Sequence, residues 1–130
     1  MKLVLDTCSY SAFAEGEERI VAAIADHGDE LFFPSIVLGE LAYGFLRGSR
    51  RQFNEEKLHE IISRLQIRVL SVTADVARKY SVIYQALASR GQKIPINDVW
   101  IAACCMEIGG VLLTLDRHFA VIEQIEVFPL

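Results

Sequence analysis

Lys2-Leu3-Val4-Leu5-Asp6-Thr7-Cys8-Ser9 opens the chain, and its reading decides the fold. Leu3, Val4 and Leu5 are a short apolar run bounded by polar residues, which predicts a buried strand ending at Asp6. In open α/β sheets ligands lie beyond the carboxyl ends of the strands, so an acid at that tip faces the functional edge. Asp6 would serve equally well as the N-cap of a short helix over Thr7 to Phe13. Taken alone, the residue does not separate the two roles. Recurrence does: Glu40, Asp98 and Asp116 are three further acids at strand tips or in apolar helices.

The chain has 130 residues, 52% of them hydrophobic, enough for one domain with a real core and too few for two ordinary ones. Residues 1–130 are therefore expected to form a single unit. A net charge of −4 argues against a broad basic face that clamps nucleic acid, while leaving room for local basic patches. The three cysteines, Cys8 and the adjacent Cys104 and Cys105, have no CxxC spacing and suit reduced, buried thiols. His27, His59 and His118 have no partner at zinc-site spacing, so solvated or capping roles are expected for each. Val99 to Met106, the longest apolar run, falls far short of the roughly 20 residues of a membrane span. The charged start resembles no signal peptide. A soluble, cytoplasmic protein is expected.

Along the chain, Glu17 to His27 has helical apolar spacing closed by Gly28, and Leu31 to Pro34 reads as a strand stopped by proline. Ser35 is expected to cap a helix over Ile36 to Leu46, apolar but for Glu40, where a solvated charge is hard to fit. Ser49-Arg50-Arg51-Gln52 reads as a turn before an amphipathic helix, Glu55 to Leu65. Arg68 to Val72 is a third strand, and Thr73 to Arg90 a long helix with Val76, Ala77, Tyr80, Ile83, Tyr84 and Leu87 on one face. Asn97 is expected to cap a helix apolar almost all round, with Asp98 in its first turn. Val111 to Thr114 is a central strand leading to Asp116, Arg117 to Val121 a short helix, and Glu126 to Phe128 a last strand. Strands alternating with helices predict a three-layer α/β/α sandwich with a mostly parallel sheet of about five strands.

On that topology Asp6, Glu40, Asp98 and Asp116 meet at one sheet edge. Carboxylates packed together repel, and such a cluster persists at neutral pH chiefly by holding a cation. All-oxygen ligands select Mg²⁺ or Mn²⁺, and the chemistry this suits is metal-assisted phosphodiester hydrolysis. A phosphoacceptor receiver domain would need an Asp ending the third strand, where Leu70-Ser71-Val72 stands. A haloacid-type phosphatase would need an acid at position 8, which is Cys8.

The Leu5-Asp6-Thr7 run, Glu40 within Ser35 to Leu41, the block Asn97 to Ala103 and the run Leu113 to Phe119 resemble the four motifs of PIN-domain nucleases. In order and spacing they are similar to the VapC toxins of toxin–antitoxin pairs. The resemblance implies that Asp6, Asp98 and Asp116 ligate Mg²⁺ or Mn²⁺, with Glu40 as a further ligand or water-orienting base. Thr7, Ser9, Asn97 and Thr114 would hydrogen-bond these acids. It also implies RNA cleavage leaving a 5′-phosphate, a toxin homodimer, and a small VapB-type antitoxin as partner. One departure is His118, which stands where many relatives carry another acid and removes a charge that a second cation would use.

Two expectations rest on the residues themselves. Arg47, Arg50 and Arg51, with Lys57 nearby, would hold RNA phosphates or simply face water. Leu38, Leu41, Tyr43 and Phe45 exceed what one helix face buries, so part of that helix would form a groove for a partner helix. A PIN-like fold kept only as a binding module is the alternative to an enzyme.

Overall fold

A computed structural model describes residues 1–130. Five parallel strands form one sheet: β1 (Lys2–Leu5), β2 (Glu30–Pro34), β3 (Arg68–Leu70), β4 (Val111–Leu113) and β5 (Glu126–Val127), in the order β3-β2-β1-β4-β5. Six helices flank it: α1 (Thr7–Ala14), α2 (Glu18–His27), α3 (Ser35–Arg47), α4 (Arg51–Leu65), α5 (Ala74–Ser89) and α6 (Ile96–Ile108). The expected three-layer sandwich is the observed architecture. Leu3, Val4 and Leu5 on β1 and Leu112 and Leu113 on β4 are buried on both faces of the sheet, as the unbroken apolar runs require.

Strand order reverses beside β1. The chain steps outward through β2 and β3, then returns to lay β4 on the other side of β1. That makes the β1–β4 seam a topological switch point, where the connections leave the sheet in opposite directions and open a crevice at the carboxyl ends. Leu5 pairs with Leu113, so the next residues on the two strands, Asp6 and Thr114, emerge side by side at its mouth.

The helix starts differ from expectation in an instructive way. Ser35 and Asn97 do not cap α3 and α6; Pro34 and Pro95 hold the N-cap positions, with no side-chain cap, and the helices begin at Ser35 and Ile96. Proline supplies a fixed φ where no donor is needed, and Asn97 is thereby freed for the cleft. Helix α4 starts at Arg51 rather than Glu55, because Arg51 pairs with Glu55 at 2.9 Å and Gln52 donates to Glu56 at 3.2 Å, adding a turn. Strand β3 stops at Leu70, two residues early, since its only partner β2 ends where Pro34 pairs with Leu70. The segment Arg117–Val121 is a 3₁₀ helix.

Helix α6 is the buried central helix, with Val99, Ile101, Ala102, Ala103, Cys104 and Cys105 all in the core. Helix α5 packs along it, and Tyr80 stacks on Trp100 with centroids 3.9 Å apart. Only part of the predicted α5 face is covered: Val76, Ile83 and Leu87 are buried, whereas Ala77 is exposed and Tyr84 borders a shallow hollow with Ile94 and Ile96. No helix is long and apolar enough to cross a membrane.

Candidate active site

Asp6 leaves β1 directly into α1 and is 3% exposed. It caps that helix: Oδ1 accepts from the Ser9 amide at 2.9 Å, while the Asp6 amide donates to Ser9 Oγ at 3.1 Å. Its other oxygen, Oδ2, accepts from the Thr114 hydroxyl across the seam. The Cys8 thiol donates to both oxygens at 3.3 Å. Burial, and then the charge of Asp6, raise the Cys8 pKa, so Cys8 stays a neutral donor. A carboxylate that is both a cap and the floor of a cleft combines the two roles that the sequence left open.

Thr114 relays to the next acid. Its Oγ accepts from the Asp116 amide at 2.9 Å, fixing the turn after β4. Asp116 then caps the 3₁₀ helix, its Oδ1 accepting from the His118 amide at 2.9 Å. Glu40, from the middle of α3, is held at both oxygens: Thr7 Oγ donates to Oε1 at 2.7 Å and Asn97 Nδ2 to Oε2 at 3.4 Å. Asp98 enters from the first turn of α6 and is only 14% exposed. All four acids line one cleft of about 500 Å³, together with Cys8 and Leu115.

Charge repulsion inside the cleft is legible at Asp98. Its pKa is raised to about 6, first by burial, then by Asp116 and Glu40, with Asp6 a lesser contributor and His118 opposing the rise. A carboxyl so buried among like charges has only His118 to offset them. The donor set therefore fits a divalent cation of the oxygen-seeking kind, and Asp98 and Asp116 are the acids best placed to share it.

His118 was expected to be solvated or to act as a cap; its side chain is exposed, and it also stands beside two of the cleft acids. Its Nδ1 lies 3.0 Å from Asp116 Oδ1 and 3.7 Å from Asp98 Oδ2. Asp98, Asp116 and His118 each offer one ligand atom within 4.8 Å of the others. The only sequence signal was its two-residue distance from Asp116. Glu15, at the C-terminal end of α1, lines the cleft and was not singled out from the sequence.

The basic residues divide. Arg50 lies over the Phe53 ring at 4.0 Å, and Arg50, Phe53, Asn54 and Lys57 line a hollow that shares Ser11 and Glu15 with the acidic cleft. Arg51 is instead paired to Glu55, and Arg47 lies over Tyr43 at 5.6 Å. A groove of about 330 Å³ between α3 and α4 is lined by Leu38, Ala42, Phe45, Leu58 and Ile62. Of the expected groove residues, Leu41 is in the core and Tyr43, exposed, does not line the groove.

The chain has counterparts among known proteins. A family model described as the PIN domain matches residues 3–124. The chain belongs to the PIN-domain family. Among curated members, it is 29% identical over 120 residues to Ribonuclease VapC5 of Mycobacterium tuberculosis, covering 92% of this chain and 87% of that one. It is 30% identical over 121 residues to the VapC ribonuclease Y4jK of Sinorhizobium fredii, covering 88% and 86%. Among solved structures, a chain from the crystal structure of DNA-bound VapBC from Salmonella typhimurium superposes with a TM-score of 0.87 at 27% identity, over 98% of this chain and 97% of that one.

Proposed function

We propose that this PIN-domain chain is a metal-dependent endoribonuclease, acting as the toxin of a toxin–antitoxin pair in the cytoplasm, with residues 1–130 as one nuclease unit. The observation that carries the reading is the convergence of Asp6, Glu40, Asp98 and Asp116 on one cleft, where burial first and then the neighbouring acids raise Asp98 to about 6. A module kept only for binding has no use for that repulsion. The curated relatives are named ribonucleases, which supports RNA as the substrate.

In this reading Asp98 and Asp116 hold Mg²⁺ or Mn²⁺, with Asp6 supporting from the floor. A divalent cation bound there neutralises the phosphoryl oxygens and acidifies the attacking water. Glu40 orients that water and takes its proton, and its two anchors, Thr7 and Asn97, leave the carboxylate little freedom to turn away. Asp6 is held by Ser9, Thr114 and Cys8, so its charge is fixed before substrate arrives. Attack at phosphorus breaks the bond to the 3′ oxygen, which takes up a proton. The downstream fragment keeps a 5′-phosphate.

RNA reaches the cleft over the Ser11–Glu15 rim. Phe53 offers a ring for stacking, and Arg50 and Lys57 offer phosphate contacts, while Arg51 and Arg47 play a lesser part. The α3–α4 groove takes an apolar helix of a VapB-type antitoxin, and the toxin pairs with a second copy of itself. Purified protein should cleave RNA with Mn²⁺ or Mg²⁺, and fall silent in chelator or as Asp98→Asn. Cleavage unchanged by both treatments would overturn the reading.

A further inference from the structure

We infer that His118 is a ligand of the same cation that Asp98 and Asp116 hold, and that its nitrogen moves the preference of the site from Mg²⁺ toward Mn²⁺. This rests on the nuclease reading and adds one ligand and one selectivity to it.

The geometry is local and specific. Asp116 caps the 3₁₀ helix through the His118 amide, and the same turn brings the ring back over the acid that caps it. Nδ1 therefore stands 3.0 Å from Asp116 Oδ1 and 3.7 Å from Asp98 Oδ2. Two adjacent ligands of an octahedral ion, each about 2.1 Å from it, are about 3 Å apart. The His118–Asp116 spacing already matches, and Asp98, within 4.8 Å of both, closes the triangle by drawing in on the ion. The ring is 56% exposed, so it is not there to fill the core; Phe119, next in sequence, does that.

The ligand type sets the consequence. A carboxylate at position 118 would complete an all-oxygen set, suited to Mg²⁺. Imidazole offers a neutral nitrogen, which transition ions accept more readily than Mg²⁺ does. The ring coordinates through Nδ1 and carries its hydrogen on Nε2.

The test uses the full chain, without reference to turnover. Pulsed electron paramagnetic resonance of the Mn²⁺-loaded protein should show ¹⁴N coupling to the ion, and His118→Asp and His118→Ala should lose it. Calorimetric titration with MnCl₂ and MgCl₂ should show the Mn²⁺-over-Mg²⁺ preference falling by about tenfold, or 1.4 kcal/mol, in His118→Asp. Circular dichroism confirms that both variants stay folded. Mn²⁺ bound to the wild type without nitrogen coupling, or an unchanged preference in His118→Asp, would overturn the inference and leave the nuclease reading standing. No binding of either ion to the wild type would overturn both.

Discussion

Replacing Asp98 by Asn should stabilise the metal-free protein at neutral pH, and by an amount that the cleft itself sets. The carboxyl moves from its ordinary 3.8 to about 6 in the fold, chiefly through burial and the charges of Asp116 and Glu40. That difference corresponds to roughly 3 kcal/mol of penalty on the ionised folded state. The sign follows from proton counting. Between about pH 4 and pH 6 folded Asp98 holds a proton that the unfolded chain has released, so stability falls as pH rises through that window. Above it the whole penalty is present. Asparagine keeps the shape and drops the charge, so it should recover about 2–3 kcal/mol, roughly 6–12 °C in Tm for a chain of this size. Urea unfolding followed by circular dichroism from pH 4 to pH 8 in chelator reads it directly. The two proteins should coincide near pH 4, diverge up to pH 6, and stay parallel beyond. Titrating groups outside the cleft are shared and drop out of the difference. Saturating Mn²⁺ should then close or reverse the gap, because a cation at 100 times its Kd stabilises its binder by about 2.7 kcal/mol. A gap independent of pH, or a variant less stable than wild type at pH 8, would refute the account of a repulsive cleft awaiting a cation.

Thr114→Val removes the donor to buried Asp6 and the acceptor for the Asp116 amide; it should cost about 1.5–3 kcal/mol in urea unfolding and depress RNA cleavage along with it. Phe53→Ala should weaken single-stranded RNA binding by about 1–3 kcal/mol, and Arg50→Ala should flatten the salt dependence of binding, while Arg51→Ala leaves it nearly unchanged. Filter binding at several salt concentrations separates the three. Ala42→Glu places a charge in the α3–α4 groove from an exposed helical position, and should abolish co-purification of the antitoxin while RNA cleavage persists.

The fold was legible because the strands of the sheet interior are unbroken apolar runs, and two of the acids, Asp6 and Asp116, follow them closely. Leu3 to Leu5 and Val111 to Leu113 needed no knowledge of their partners to be read as buried. What escaped depends on contacts between distant segments or on backbone detail. Nothing in Arg117-His118 shows that a 3₁₀ turn will fold the ring back onto Asp116, and capping or solvent exposure was the reasonable expectation. Phe53 looked like one residue of an amphipathic helix; its place on the rim of the cleft depends on how α4 meets α1, which brings Lys57 Nζ to within 2.8 Å of the Ala14 carbonyl. The helix starts at Pro34 and Pro95 escaped because Ser35 and Asn97 are better caps by chemistry. Proline won by geometry, and Asn97 turned its amide to Glu40 instead.

Asp6 holds up the first turn of α1 with one oxygen, takes the Thr114 hydroxyl on the other, and lines the floor of the cleft. That shared duty bears on how related sequences should be read. A descendant that abandoned catalysis would still gain stability from an aspartate there as the helix cap, so the presence of this residue says less about whether such a chain is active. Asp98 carries the opposite message. It caps no helix through a hydrogen bond, it weakens the fold while ionised, and drift would discard it first once cutting RNA no longer mattered. An aspartate kept at position 98 is therefore the better sign of a working nuclease, and Asp98→Asn a cleaner inactive control than any change at Asp6.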